Sequence, residues 1–331
     1  MRAPAFWWRP GTGTLLAPLG AIYGAVAAQR METPGASAGI PVICVGNLTV
    51  GGAGKTPTAL AVAHLLLQVR ERPFFLSRGY GGRLSGPVRV DPSFHRATDV
   101  GDEPLLLARL APTIVARDRV AGARVARTVG ASIIVMDDGF QNPSLKKELS
   151  IIAVDGARSI GNGRVIPAGP LRAPLDVQIK QARAIILVGG ADGAAGIEDL
   201  ARRYNVAVLH GRLEPNRASL AALGGRKVLA FAGIGNPDKF FITLAEAGVT
   251  VAERESFRDH HRYTAAEAET LMRRADTAGL VLMTTEKDHV RLTGDPALTK
   301  LAARATALPV RLVVDEQDQF RQLVLGAIKP G

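Results

Sequence analysis

The chain has 331 residues, 47% of them hydrophobic and 21% charged, which suits a folded protein of two ordinary-sized domains and excludes a disordered one. Its single cysteine, Cys44, excludes an internal disulfide framework and cysteine-based zinc sites. The net charge of +11 favours anionic partners, a phosphorylated substrate or an anionic membrane surface, or is simply a basic surface. No aromatic-interleaved basic patch or recognition helix accompanies it, so nucleic acid is not expected.

Residues 1–30 stand apart. Phe6-Trp7-Trp8-Arg9 holds both tryptophans, and Gly11 to Ala28 carries no charge. Trp beside Arg suits a membrane interface. A helix over that uncharged stretch reaches only about 27 Å, and Pro18, Gly20 and Gly24 weaken it. A full span needs roughly 20 apolar residues. The expected form is an anchor lying in the interface. Two other readings compete. Arg2, the apolar run and Ala25-Val26-Ala27 imitate a signal peptide, and the segment could pack on the protein's own core.

Ile40 to Val45 is an apolar, β-favouring run that feeds Gly46-Asn47-Leu48-Thr49-Val50-Gly51-Gly52-Ala53-Gly54-Lys55-Thr56-Pro57. Strand, glycine loop, Lys-Thr and helix in this order form a nucleotide-phosphate cradle over Thr49 to Thr56. Glycines let backbone N–H groups approach the phosphates, and the helix N-terminus adds its dipole. Lys55 reaches the β/γ-phosphates and Thr56 offers a hydroxyl to Mg²⁺. The pattern is imperfect, because Thr49 stands where the first glycine belongs. The Gly-Gly-x-Gly-Lys-Thr form resembles partitioning ATPases, but their signature lysine falls on Val50. Cys44, in the run before the loop, is expected to be a buried structural thiol.

Thr58 to Val69 predicts a buried helix, with His64 at the core or its boundary. Pro73 to Ser77 predicts a strand that ends in Ser77-Arg78-Gly79-Tyr80-Gly81-Gly82-Arg83, a loop able to hold an anionic acceptor. Gly101-Asp102-Glu103-Pro104 precedes a helix. Asp102 is either its cap, with Glu103 favouring the dipole, or the base that takes a proton from an acceptor hydroxyl. Ala131 to Met136 predicts a strand that delivers Asp137-Asp138-Gly139-Phe140-Gln141 to the edge where the phosphate loop opens. One carboxylate there can hold Mg²⁺ and Gln141 can order the site. Arg172, in a proline-rich loop from Val165 to Pro174, is placed to grip a phosphate.

Further apolar runs at Leu149–Val154, Ala184–Val188 and Val206–Leu209, alternating with helical stretches, predict a doubly wound parallel sheet. The pattern breaks around Arg212 to Arg226. A second strand-loop-helix unit starts at Lys227, with more strands at Val249–Ala252, Gly279–Met283 and Val310–Val314. The expected organisation is an N-terminal segment 1–30, a phosphate-loop domain 31–215 and a smaller α/β domain 216–331. Arg258-Asp259-His260-His261-Arg262-Tyr263 follows a strand of the smaller unit and offers an oriented, titrating imidazole or a polar loop. Thr284-Thr285-Glu286-Lys287-Asp288 is either a site or a salt-bridged strand end.

These pieces, in this order, resemble the tetraacyldisaccharide 4′-kinases of lipid A synthesis. The matching segments also include Phe6-Trp7, Ile166-Pro167-Ala168-Gly169-Pro170-Leu171-Arg172 and Thr285-Glu286-Lys287-Asp288. The resemblance implies transfer of the γ-phosphate of ATP, with Mg²⁺, to the 4′-hydroxyl of a lipid A disaccharide 1-phosphate, giving lipid IVA. It implies a monomer at the cytoplasmic face of the inner membrane. It implies Asp102 as catalytic base supported by His260, Lys55 on the phosphates, and Thr56, Asp137, Asp138 and Gln141 around the metal. Arg78, Tyr80 and Arg172 are left for the acceptor. Ala173 departs from the family pattern, where an acid is common. A membrane-associated switch ATPase and a soluble synthetase of the same loop class are the rivals. Val50 argues against the first and the Trp-rich N-terminus against the second.

Overall fold

The computed structural model describes residues 3–190 and 195–328. The apolar runs become the middle of a nine-stranded sheet. In chain order its strands are β1 Val42–Gly46, β2 Pro73–Ser77, β3 Val88–Arg89, β4 Thr113–Val115, β5 Ile133–Asp137, β6 Leu149–Asp155, β7 Ala184–Val188, β8 Ala207–Pro215 and β13 Val310–Val314. A second sheet holds β9 Val228–Ala232, β10 Val251–Ser256, β11 Val281–Thr285 and β12 Thr306–Leu308.

The large sheet runs β13-β8-β7-β6-β1-β5-β2-β4-β3, and only the outer pairs, β13 on β8 and β3 on β4, are antiparallel. Helices cover both faces, so the central strands are continuous apolar runs instead of alternating ones. Alternate side chains still part to opposite faces. Cys44, Ile134 and Met136 enter one core, while Ile43, Val45 and Val135 enter the other beneath helix Lys55–Gln68. β1 has β5 on one side and β6 on the other, so the loop after β1 opens at the point where the winding reverses, the usual place for a ligand crevice. The small sheet is parallel, in the order β10-β9-β11-β12; its central β9 is buried throughout and its edge strand β10 alternates.

Several expectations change. Val310–Val314, expected among the strands of the smaller unit, pairs antiparallel with β8 of the large sheet. Helix Gln317–Gly326 follows it and adds Phe320 and Val324 to the core under helix Lys55–Gln68. The four-stranded unit is thus spliced into the chain between β8 and β13. The break expected at Arg212 starts later, since β8 continues to Pro215 and a short helix Arg217–Ala221 follows. His64 is exposed, its Nδ1 2.9 Å from the Leu60 carbonyl oxygen one turn back. Cys44 is fully buried as expected, and burial pushes its thiol up to about 11.

The N-terminal stretch forms helix Ala17–Met31, and no helix among the described residues is long and apolar enough to cross a membrane. The glycines that weaken it are its contact face. A Cβ on Gly20 would stand 2.8 Å from the Val165 carbonyl oxygen, and Gly24 faces Pro174. Trp7 is buried, its indole N–H donating to the Pro167 carbonyl at 3.0 Å, so it braces the protein instead of facing outward. The opposite face leaves Leu15, Leu19, Ile22, Tyr23 and Val26 exposed. Leu19, Ile22, Tyr23 and Val26 fall on one side of the helix, and Leu15 stands in the short 3-10 turn Thr14–Leu16 before it.

Candidate active site

The loop after β1 is fixed by its neighbours. Gly46 lies so close to Phe140 that any Cβ would collide with it. Buried Asn47 donates from Nδ2 to the carbonyls of Thr49 at 2.6 Å and Gly51 at 3.0 Å. The Val50 N–H donates to Pro170 and the Arg172 N–H to Leu48, each at 2.9 Å, which zips the loop onto the proline-rich segment. Gly51 and Gly54 take φ of +113° and +86°, the left-handed region that a side chain resists. Gly54 then opens helix Lys55–Gln68, whose first N–H groups have no partner within the helix. Lys55 Nζ lies 3.8 Å from Asp138 Oδ2, and Thr56 is buried at the loop's end.

β5 brings the two acids to the loop. Asp137 is buried and its Oδ1 has no hydrogen-bond partner. Burial, with Glu103 and Asp138 nearby, pushes its carboxyl up to about 7. A bare, buried carboxylate oxygen in a cleft that a second acid, Asp138, and Thr56 also line is the kind of hard oxygen donor set that Mg²⁺ takes. Asp138 sits at φ +50°. Burial would raise its carboxyl, but Lys55 and Arg172 hold it at about 2. Gln141 stands behind the loop. Its amide nitrogen donates to the Asn47 carbonyl at 2.7 Å and to Gln178 Oε1 at 2.9 Å, so it orders the site by bracing the loop from behind.

The smaller unit supplies the facing wall. His260, also left-handed at φ +53°, places Nδ1 3.2 Å from Asp102 Oδ2. Burial would lower its basicity, but the hydrogen bond and charge of Asp102 raise it above the usual histidine value. For Asp102, burial acts upward, yet His260, Arg291 and Lys287 together hold the carboxyl far below its ordinary range. His261 turns away, with Nε2 3.0 Å from the Glu267 carboxylate and its ring stacked on Phe257. Asp102, Glu103 and His260 could between them present ligand atoms to a cation within 4.8 Å of one another. Both acids are already neutralised, Asp102 by Arg291 and Glu103 by Lys287 at 2.8 Å.

Loop, acids and His260 enclose one cleft of about 680 Å³. Arg78 and Tyr80 line it as well, and the Tyr80 ring lies 5.1 Å from that of His260. Arg172 lines it but is held by Asp138 and by the Thr49 carbonyl, on the side of the phosphate loop. In the segment at Thr284–Asp288, Lys287 lines the cleft while Asp288 is buried in hydrogen bonds. Two cations escaped the sequence reading. Lys239, which lines the cleft, lies 3.4 Å from buried Asp155 Oδ2, and Arg291 grips Asp102. For Arg291 the available signal was its place one helical turn after Asp288.

A glycine loop and paired acids at the reversal point of a parallel sheet, closed over by an acid–histidine pair, define a phosphate-loop phosphotransferase. The particular family follows from comparison. The family model for tetraacyldisaccharide-1-P 4′-kinase, LpxK, matches residues 12–329. Proteins named tetraacyldisaccharide 4′-kinase are similar along the whole chain. One from Rhodopseudomonas palustris (strain BisB18) is 54% identical, over 98% of this chain and 95% of its own, and one from Methylobacterium nodulans is 55% identical, over 100% and 98%. The crystal structure of LpxK from Aquifex aeolicus in complex with ATP superposes with a TM-score of 0.74 at 26% identity, covering 96% of this chain and 99% of that one. The chain belongs to the tetraacyldisaccharide 4′-kinase family.

Proposed function

We propose that the chain transfers the γ-phosphate of ATP to the 4′-hydroxyl of a tetraacyldisaccharide 1-phosphate, a lipid A precursor, to give lipid IVA. The observation that carries the reading is that the phosphate loop and His260, with Asp102 behind it, stand on opposite walls of a single cleft. Donor and acceptor machinery therefore meet in one place. The work is divided between a lobe on the large sheet, residues 31–215 with β13 and its helix, and a smaller lobe over 216–309.

Lys55 and the loop N–H groups receive the β- and γ-phosphates. Thr56, Asp137 and Asp138 would hold Mg²⁺, which when bound neutralises charge on the phosphate oxygens. The Asp102–His260 pair orients the acceptor hydroxyl. Its oxygen bonds to the γ-phosphorus, the bond from that phosphorus to the β,γ-bridging oxygen breaks, and the hydroxyl proton passes to the pair. Such transition states are loose, so the proton moves late and a strongly acidic carboxyl such as Asp102 serves mainly by orientation. Arg78 and Tyr80 are the acceptor-side contacts, and Arg172 stays on the donor side. The exposed apolar face of helix Ala17–Met31 supports attachment to a membrane surface, which in this reading is the cytoplasmic face of the inner membrane, with the chain acting as a monomer.

The test is incubation with γ-labelled ATP, Mg²⁺ and tetraacyldisaccharide 1-phosphate in detergent. Label is expected in the lipid. Release of free phosphate at the same rate with and without lipid would overturn the reading in favour of a switch ATPase.

A further inference from the structure

Asp102 ends a line of buried charge that starts in the smaller lobe. Arg291, with a side chain 7% exposed, donates Nε to Asp102 Oδ2 at 2.8 Å, and its Nη2 donates to the same oxygen. Its Nη1 donates to the Gly233 carbonyl at 2.6 Å and to Asp288 Oδ1 at 2.8 Å. Asp288 is fully buried and accepts from the Gly233 N–H at 2.9 Å, the Tyr263 hydroxyl at 2.8 Å and the Thr285 hydroxyl at 2.6 Å. The guanidinium is therefore fixed by the end of β9, by Tyr263 and by its own helix Glu286–Leu292 before it touches Asp102. On Asp102, Oδ2 takes His260 and Arg291, while Oδ1 takes only the Glu103 N–H at 3.1 Å.

We infer that Arg291 is a positioning residue for phosphoryl transfer. Anchored by Asp288, it locks the Asp102 carboxylate in the orientation that aims His260 into the cleft, and it keeps that carboxylate ionised. The inference rests on the Asp102–His260 pair being the proton-accepting group. A planar fork fixes direction as an ammonium cannot. Stability alone is a weak reason for the arrangement, because buried ion pairs roughly break even against apolar packing. The contact also joins the lobes, since Asp102 rides on a helix of the large lobe and Arg291 on one of the small lobe. The pair is thereby complete only when the lobes stand in this relation.

Arg291→Met and Arg291→Lys test this, each alone and in an Asp102→Asn background, with kcat, both KM values, the kcat–pH profile and thermal midpoint measured. Arg291→Met is expected to lower kcat about 100-fold, the loss that a misplacement near 1 Å produces, with KM for ATP within about twofold. Its acid limb should move to higher pH, because Asp102 keeps only Lys287 and His260 as neighbouring cations, against the like charge of Glu103. Arg291→Lys, which conserves charge and should fold, is expected to restore the limb but not the full rate. With Asp102→Asn already present, Arg291→Met should add almost nothing. A full, multiplicative loss on top of Asp102→Asn would overturn the inference. So would a lowered midpoint with wild-type kcat and limb. If Asp102→Asn and His260→Gln themselves keep the wild-type rate, the proton-accepting pair fails as a reading; if they lose it and Arg291→Met does not, only the inference about Arg291 fails.

Discussion

Arg172 grips Asp138 by both carboxylate oxygens, Nη1 to Oδ1 at 3.0 Å and Nη2 to Oδ2 at 3.3 Å. The fork is aimed by the backbone, since Arg172 also donates its N–H to Leu48 and its Nε to Thr49. This holds the arginine against the phosphate-loop wall of the cleft, which makes the donor phosphates its proposed partner in place of the acceptor. Arg172→Lys keeps the charge and loses the two-point grip. It is expected to lower kcat/KM for MgATP about tenfold and to demand more Mg²⁺ for half-maximal rate, with KM for the lipid unchanged. Titrating each substrate at saturating levels of the other checks this; a change confined to the lipid KM would return Arg172 to the acceptor.

The two adjacent histidines make a matched pair of variants. His260→Gln removes the imidazole that faces the cleft, and general acid–base groups are commonly worth about 10²–10⁴ in rate. A kcat loss in that range is expected, with ATP affinity retained. His261→Gln removes a partner of Glu267 and a ring stacked on Phe257, outside the cleft. It should keep near-normal turnover and lower the thermal midpoint by a few °C at most, on the order of 1 kcal/mol. Equal kinetic losses in the two variants would contradict the geometry.

The Asp102–His260 contact also sets a pH dependence of stability. His260 is shifted above its ordinary 6.5, chiefly through Asp102 acting against burial. Its contribution is therefore fully present below pH 6.5 and is lost as pH rises through the raised value. Asp102 is shifted the other way, so its share is present at any pH above the ordinary carboxylate range and lost only in strong acid. Denaturant midpoints should fall from pH 6 toward alkaline pH, and His260→Gln should abolish that component. The same decline in the variant would assign it to other groups.

How much of this could be read in the chain depends on range. β1, its glycine loop and the acids after β5 were legible because strand, loop and helix are contiguous and each leaves a local mark, an apolar run, glycines at left-handed positions, a Lys-Thr start. Asp102 stayed between cap and base, since its partners His260 and Arg291 lie 158 and 189 residues away. The orientation of Gln141 was hidden for the same reason, as its amide answers to Asn47 and Gln178. β13 reads like any strand of the smaller lobe, and only its register with β8 shows that the chain has gone back to the large sheet. Gly20 and Gly24 read as helix breakers in isolation and are contact residues in place.

That N-terminal helix has two faces that can be broken separately. Gly20→Leu forces a side chain against the Val165 carbonyl, where the missing Cβ already has only 2.8 Å, so it should unseat the helix and lower the thermal midpoint. Leu19→Ser, Ile22→Ser and Val26→Ser together change only exposed positions and should leave the midpoint and ATP affinity alone. Each apolar side chain can contribute about 1.5–3 kcal/mol when fully buried, so even partial insertion of three makes a tenfold or greater drop in vesicle partitioning the expected outcome. The rate on a short-chain, micelle-free acceptor should persist while KM for the acylated acceptor in vesicles rises. Co-sedimentation with anionic vesicles checks the first effect, and wild-type partitioning of the triple variant would show that this face does not meet the membrane. A triple variant that lost turnover on both acceptors alike would instead tie the helix to the fold of the Val165–Pro174 loop, through which Arg172 reaches the phosphate site.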